Sequence, residues 1–353
     1  MAKERIISSD SHIALKDEAV FSHLQKKHQE QILEARAAFM ARMGGKGGMP
    51  SQEHNWPAFG RDGEWDPQER LKDMDIDGVD AEVLYSAADA GASHNKFDDG
   101  GRLAVFQAYN DAALDFASAD PKRLLPVYIV PIVEVEEAVS EVKRLAEAGA
   151  RALMIPPYPH DLGLKPYWDS SYDPLWATIE ETGIPISQHV GANQYLFQLM
   201  AHDPTPAKGI FQSLPPIFMA EIIANWIVSG LLERFPGLKI VLVEAGLSWI
   251  PYYLERLDTM AHRHGWDNLN MLAEKPSAYW HRSMAATFEE DEFGIEIRHR
   301  LGVENLMWAT DYPHPDSTWP ESQKVIKTHF KNVPEDETRA IIGGNAARFY
   351  GLN

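Results

Sequence analysis

Eight short apolar runs, several of them separated by helical patterns, constrain this chain more than any other feature of it. They are Arg5–Ser9, Ala81–Tyr85, Leu125–Ile132, Ala152–Ile155, Ile184–Gln188, Lys239–Val243, Ser283–Thr287 and Leu306–Ala309. Apolar runs this short, bounded by turn-forming residues, read as strands. Amphipathic helices are predicted over Glu136–Ala148, with Val139, Val142, Leu145 and Ala146 on one face, and over Pro174–Thr182 and Ile217–Arg234. Gly149 and Gly183 close the first two as helix C-termini prefer, and Pro236 stops the third. Gly343-Gly344 reads as a turn ahead of a terminal helix. Strands alternating with helices imply a parallel sheet, and eight of them imply closure into a distorted (β/α)8 barrel of the TIM type. The 353 residues fit one such domain over 1–353.

Two stretches break the repeat. Residues 13–70 are a long insertion after the first strand, with GGKGGMP at Gly44–Pro50 as its flexible loop and His54, Trp56 and Trp65 nearby. Such an insertion is expected to lie over the barrel mouth as a lid. Val190–Pro216, after the fifth strand, is expected to form another wall. Trp56, Trp65, Trp249 and Trp319 fall in mouth loops, where they line a pocket or pack the lids.

Composition excludes several classes. The absence of cysteine removes disulfides and thiolate metal sites, so any metal is held by His, carboxylate or water. A net charge of −19 disfavours nucleic acid. No run of 18 apolar residues predicts a membrane span, and the charged start MAKERIISSD lacks the apolar core of a secretory signal. A cytoplasmic enzyme with a small-molecule substrate is expected. No phosphate loop, nucleophile elbow or dinucleotide fingerprint is present.

The chemistry gathers behind the strands. Asp10-Ser11-His12 follows the first, His189 the fifth, Glu244 the sixth, and Thr310-Asp311-Tyr312-Pro313-His314 the eighth. In a parallel barrel these ends converge on one mouth. Strand side chains alternate with period two, so Asp10 and His12 share a face and form a plausible chelating pair. Asp10, His12, His189 and Asp311 are therefore candidate ligands of a divalent metal: zinc, manganese or iron. Glu244 binds a second metal, activates water, or is a buried carboxylate paired with a His or Arg. His314 orders a water, moves a proton, supports a ligand, or caps its neighbour Asp311. His262 and His264 lie on a helix starting near Trp249, about 20 Å from the mouth at ~1.5 Å per residue, and read as surface.

The strings SSDSHI, LKDMDIDGVDAEVLY, GLLERFPGLKIVLVEAGLSWIPYYLERLD, MWATDYPHPDSTWP and GGNAARFYGL resemble the amidohydrolase superfamily. More narrowly, they resemble its branch of aminocarboxymuconate-semialdehyde and resorcylate decarboxylases. The resemblance implies a barrel with a divalent metal at its mouth and leans towards a homodimer. It places the family's His after the fifth strand at His189 and its Asp after the eighth at Asp311. The first-strand His-x-His is here Asp10-Ser11-His12, and the His after the sixth strand is Glu244. The expected function is therefore hydrolysis or non-oxidative C–C cleavage of a small carboxylate or carbonyl compound, with Asp311, His314 and Glu244 as catalytic groups. Asp10, His12, His189, Glu244, Asp311 and His314 together form a mixed carboxylate–imidazole ligand set that could instead hold two metals, as in a dinuclear non-haem iron monooxygenase. A catalytically silent partner subunit fits the intact ligand set poorly.

Overall fold

The computed structural model describes residues 5–42, 57–58, 60–86, 99–191, 193, 195–196, 198, 209–210, 213–264 and 272–352. Its strands are β1 Ile7–Ile13, β2 Ala81–Ser86, β3 Leu124–Ile129, β4 Ala152–Met154, β5 Ile186–His189, β6 Ile240–Val243, β7 Met284–Phe288 and β8 Leu306–Trp308. They pair in sequence order, all parallel. Along β6 the alternation is direct: Val241 and Val243 fill the barrel, while Ile240 and Leu242 pack outward against the helices. The interior takes apolar side chains from every strand but β5, which contributes the buried Ser187, its Oγ 2.9 Å from Tyr85 Oη.

The ends of the barrel meet through polar atoms. Ser11 bridges to Tyr312, the His12 N–H donates to the Tyr312 carbonyl at 2.5 Å, and the Asp311 N–H to the Asp10 carbonyl at 2.9 Å. Beneath them the hydroxyls of Ser8, Ser11 and Thr310 form a buried triangle with sides of 2.9–3.0 Å. The register of β1 against β2 shifts between Ser8 and Ser11, the mark of a β-bulge. Bulges re-aim side chains, and this one takes in Asp10 and ends just before His12.

Several boundaries differ from expectation. β1 continues to Ile13, so Asp10 and His12 lie inside the strand, because pairing to β2 and Tyr312 extends it beyond its apolar residues. His189 is likewise the last residue of β5. The helix expected over Ile217–Arg234 is two, Pro215–Ile227 and Leu231–Arg234, parted by Gly230 at φ 75°. Gly343-Gly344 is not a turn. It belongs to a π-helical segment, Ala340–Gly344, that joins Glu335–Arg339 to Asn345–Phe349. The glycine is needed there because a Cβ at Gly343 would lie 2.1 Å from the Arg5 carbonyl oxygen, where the chain enters β1. Gly343→Ala is expected to cost about 3 kcal/mol through overpacking, read as a lowered denaturant midpoint. An unchanged midpoint would contradict this packing.

The stretch after β1 contains helices at Asp17–Ser22 and Lys26–Arg42, and its return lies against β1, where the Ala14 N–H donates to Glu64 O at 2.7 Å. Gly44–Pro50, His54 and Trp56 lie outside the described residues, as does much of Val190–Pro216. Trp319 packs rather than lines: its ring meets Tyr312 and its Nε1–H donates to Asp73 O at 3.1 Å. Trp249 Nε1–H donates to Ala245 O at 2.8 Å, and Lys16 Nζ sits over Trp65. His262 and His264 are exposed on the helix Ile250–His264. No helix among the described residues is long and apolar enough to cross a membrane.

Candidate metal centre

β1 delivers Asp10 and His12 to the mouth as near neighbours, with His12 Nε2 3.5 Å from Asp10 Oδ1. β5 ends on His189, whose Nε2 is 3.5 Å from the same oxygen and 3.3 Å from His12 Nε2. Past β8, Asp311 Oδ1 is 3.3 Å from His12 Nε2 and 3.0 Å from His314 Nδ1. The His314 ring lies over His12 at a centroid distance of 3.8 Å. Ligand atoms of Asp10, His12, His189 and Glu244 all fall within 4.8 Å of one another. So do those of His12, Glu244, Asp311 and His314. Bonds of about 2.0–2.4 Å to a shared cation set donors roughly this far apart.

Backbone strain accompanies two of these carboxylates. Glu244 and Asp311 are the non-glycine residues of positive φ among those described, at 56° and 52°. The left-handed region costs such residues about 1 kcal/mol or more. It is held by neighbours: the Glu244 N–H donates to Thr287 Oγ1 at 2.8 Å and the Asp311 N–H to Asp10 O. Glu244 directly follows β6 and Asp311 lies three residues past β8, and the sharp turn at each keeps its carboxylate at the mouth.

The polar accounting points to a cation. Both carboxylate oxygens of Asp10 and both of Asp311 are buried without a hydrogen-bond partner, and the side chains are 0% and 1% exposed. A buried carboxylate lacking donors is costly unless a positive charge faces it. The His189 Nδ1–H donates to the Val190 carbonyl at 2.8 Å, leaving Nε2 as the donor atom for a ligand. Protons otherwise fill the role. Burial pulls His189 down, but the Asp10 carboxylate 3.5 Å away outweighs it and lifts the imidazole to about 9. Burial pushes Glu244 well up, reinforced by Asp311. Burial also lowers His314, but the Asp311 carboxylate 3.0 Å away raises it overall. His12 goes the other way, held well below its usual value by burial and by His314. A divalent cation would satisfy the same charges, and the donor set suits zinc, manganese or iron.

The six candidates from the sequence thus come together. Two further residues went unseen there. Arg70 is wholly buried, donates from Nη1 to the His12 carbonyl at 2.8 Å and from Nε to Glu82 at 2.5 Å, and lies over the Tyr312 ring. It braces β1 and the loop after β8 from behind. Its helix, Pro67–Asp77, reads in sequence as an ordinary charged surface helix. Glu289 follows β7 directly, its Oε1 buried without a partner. In sequence it opens the acidic run Glu289-Glu290-Asp291, which looks like a solvated turn. Asp291 does serve a turn, accepting the N–H groups of Leu247, Ser248 and Gly294 and so fixing the loop behind Glu244.

An amidohydrolase family profile matches residues 29–352. The match begins beyond β1, so Asp10 and His12 rest on the geometry above. A 2-amino-3-carboxymuconate-6-semialdehyde decarboxylase of Dictyostelium discoideum is 24% identical over 297 residues, covering 82% of this chain and 77% of that one. Among solved structures, 5-carboxyvanillate decarboxylase from Sphingomonas paucimobilis aligns at TM-score 0.75 and 26% identity, over 99% of this chain and 100% of that one. A 5-carboxyvanillate decarboxylase from Novosphingobium aromaticivorans, complexed with manganese, aligns at TM-score 0.77 over 99% and 96% of the two chains. At 16% identity it shows the fold alone.

Proposed function

The chain belongs to the amidohydrolase family, and from that premise we propose that it is a metal-dependent lyase that removes CO2 from a small unsaturated or aromatic carboxylate without an oxidant. The observation that carries the proposal is the set of buried, partnerless carboxylates of Asp10 and Asp311 facing the imidazoles of His12 and His189. The decarboxylase relatives support the reaction type. Asp10, His12, His189 and Asp311 would hold the cation, with Glu244 and His314 beside them. Such a cation supplies electrostatic stabilisation to a substrate oxygen as charge builds there.

The rest falls to the protein's own groups. Cleaving the bond from carbon to CO2 leaves an electron pair on that carbon, which must take up one proton. Asp311 and His314 form the path for it: His314 Nδ1 lies 3.0 Å from Asp311 Oδ1, and His314 is 43% exposed, so it reaches solvent while Asp311 does not. Arg70 and the hydroxyl triangle hold the two strand ends in register. The same donors would serve hydrolysis, but the relatives favour C–C cleavage over both hydrolysis and the dinuclear iron monooxygenase reading. The proposal includes a homodimer, and residues 13–70 as a cover over the mouth.

Stripping the chain with a chelator and restoring Mn2+ or Zn2+ tests it. CO2 release from hydroxybenzoates or carboxylated dienes should vanish on stripping, return with metal, and proceed without oxygen. Turnover that needs oxygen and follows bound iron would overturn the proposal, as would full activity in a chain shown to be metal-free.

A further inference from the structure

Tyr85 packs under the mouth and takes no part in the proton path. It is the register partner of His12 across β1 and β2, so the two side chains leave the sheet on the same face. That face is the barrel interior, where Tyr85 is wholly buried. Its ring meets the His189 ring edge to face, at a centroid distance of 5.0 Å and an angle of 66°. It borders the His12 ring at 6.1 Å and 44°. One phenol therefore stands against the two imidazoles that β1 and β5 bring to the cation.

The far end of that phenol is tied across the barrel. Tyr85 Oη shares its 2.9 Å hydrogen bond with Ser187 Oγ on β5, three strands round the sheet from β2. Ser187 is buried and lies two residues before His189, so both point to one face of β5. Gln188 between them turns outward, where its Oε1 accepts from Trp226 Nε1–H at 3.3 Å. With its hydroxyl engaged by Ser187, Tyr85 offers the centre a ring and not an oxygen ligand. His189 needs such a wall. Once Nε2 is given to a cation, its orienting hydrogen bond is the one from Nδ1–H to the carbonyl of the adjoining residue, Val190. The terminal torsion of a histidine is broad, so one bond to a neighbour in sequence does not fix the plane of the ring, and packing must supply the rest.

We propose that Tyr85 is a positioning residue of the metal centre: its ring, fastened across the barrel by Ser187, holds the His189 and His12 imidazoles in the planes that turn Nε2 of each to the cation. Imidazoles already aimed lose less freedom when the cation binds, so the wall raises affinity without touching the ion. The inference rests on the metal-centre reading and adds to it the residue that orients two of its ligands.

Mn2+ titration of the metal-stripped full chain by calorimetry, with thermal melts of the same metal-free variants, tests it without an assay of activity. Tyr85→Leu removes the ring and should weaken Mn2+ binding at least about tenfold. Tyr85→Phe keeps the ring without its tether and should recover most of that loss, binding about threefold more weakly than wild type. Ser187→Ala cuts the same tether from the other side and should show the same small loss. The Tyr85→Phe/Ser187→Ala chain should then bind no worse than either single variant, because both remove one contact. Val83→Ala opens the same interior on the same face of β2, two residues further from the mouth. It should lower the melting temperature and leave Mn2+ binding unchanged, which separates orientation from packing. Wild-type affinity in Tyr85→Leu, or an equal weakening by Val83→Ala, would overturn the inference and leave the metal centre standing. If the Leu variant fails to fold, the two tether variants carry the test, and wild-type affinity in both would overturn the inference. No Mn2+ uptake by wild type would remove the metal centre itself, and the inference with it.

Discussion

His189→Ala should give a folded barrel that no longer retains its cation and turns over at least about a thousandfold more slowly. His189 is the sole imidazole that β5 contributes, and its Nε2 faces both Asp10 and His12. No described neighbour replaces it, because the residues behind it, Val190 and Gly191, carry no donor side chain. The barrel itself rests on the apolar interior and the helices, which this substitution leaves alone. Removing the imidazole does expose a further cost. Asp10 is wholly buried and loses a facing positive charge, so the metal-free variant should be less stable than metal-free wild type by about 3 kcal/mol. Metal content per chain after dialysis, CO2 release and a denaturant melt read the three effects. A variant that keeps both its metal and its rate would sink the site as assembled here.

Asp311→Asn should lose turnover on the same scale for a different reason, and with the opposite effect on the metal-free fold. The amide keeps the shape of the side chain but neither accepts a proton as a carboxylate does nor carries its charge. It breaks the path from His314 to the mouth and weakens the cation, so the rate should fall about a thousandfold or more even with metal in excess. In the metal-free chain, however, Asp311 is the charge that most burdens the buried Glu244 and Glu289. Removing it relieves repulsion, and the metal-free melting temperature should rise. Addition of Mn2+ should then stabilise the variant less than it stabilises wild type. A melting temperature that falls without metal, together with unchanged turnover, would mean that Asp311 is a structural residue and not a working one.

The opposite signs of these two effects on stability follow from where each residue sits in the charge pattern, and that pattern was only partly visible in the sequence. Donor types could be read directly: Asp-x-His in one strand, a His closing another, acids past two more. The apolar runs placed them, since any parallel barrel brings its strand ends to one mouth. Arg70 and Glu289 escaped the same reading for physical reasons. Arg70 lies 58 positions from the His12 carbonyl it supports, and nothing local marks a charged helix position as buried. Glu289 sits in an acidic run whose neighbours Glu290 and Asp291 do behave as surface and turn residues. Only the neighbouring strands of a closed barrel remove its oxygen from water.

What the sequence determined by itself is therefore the number and order of strands, the single mouth and the chemical kind of its donors, because these depend on periodicities of two to four residues and on side-chain identity. The tertiary structure decided the rest. The bulge in β1 and its hydroxyl contacts with Thr310, just past β8, set Asp10 against Asp311. The left-handed turns hold Glu244 and Asp311 at the rim, and the packing determines which acids are left buried without a donor. Those properties are sums over residues far apart in the chain. Desolvation and charge at one carboxylate depend on every strand around it, and no local pattern carries that sum.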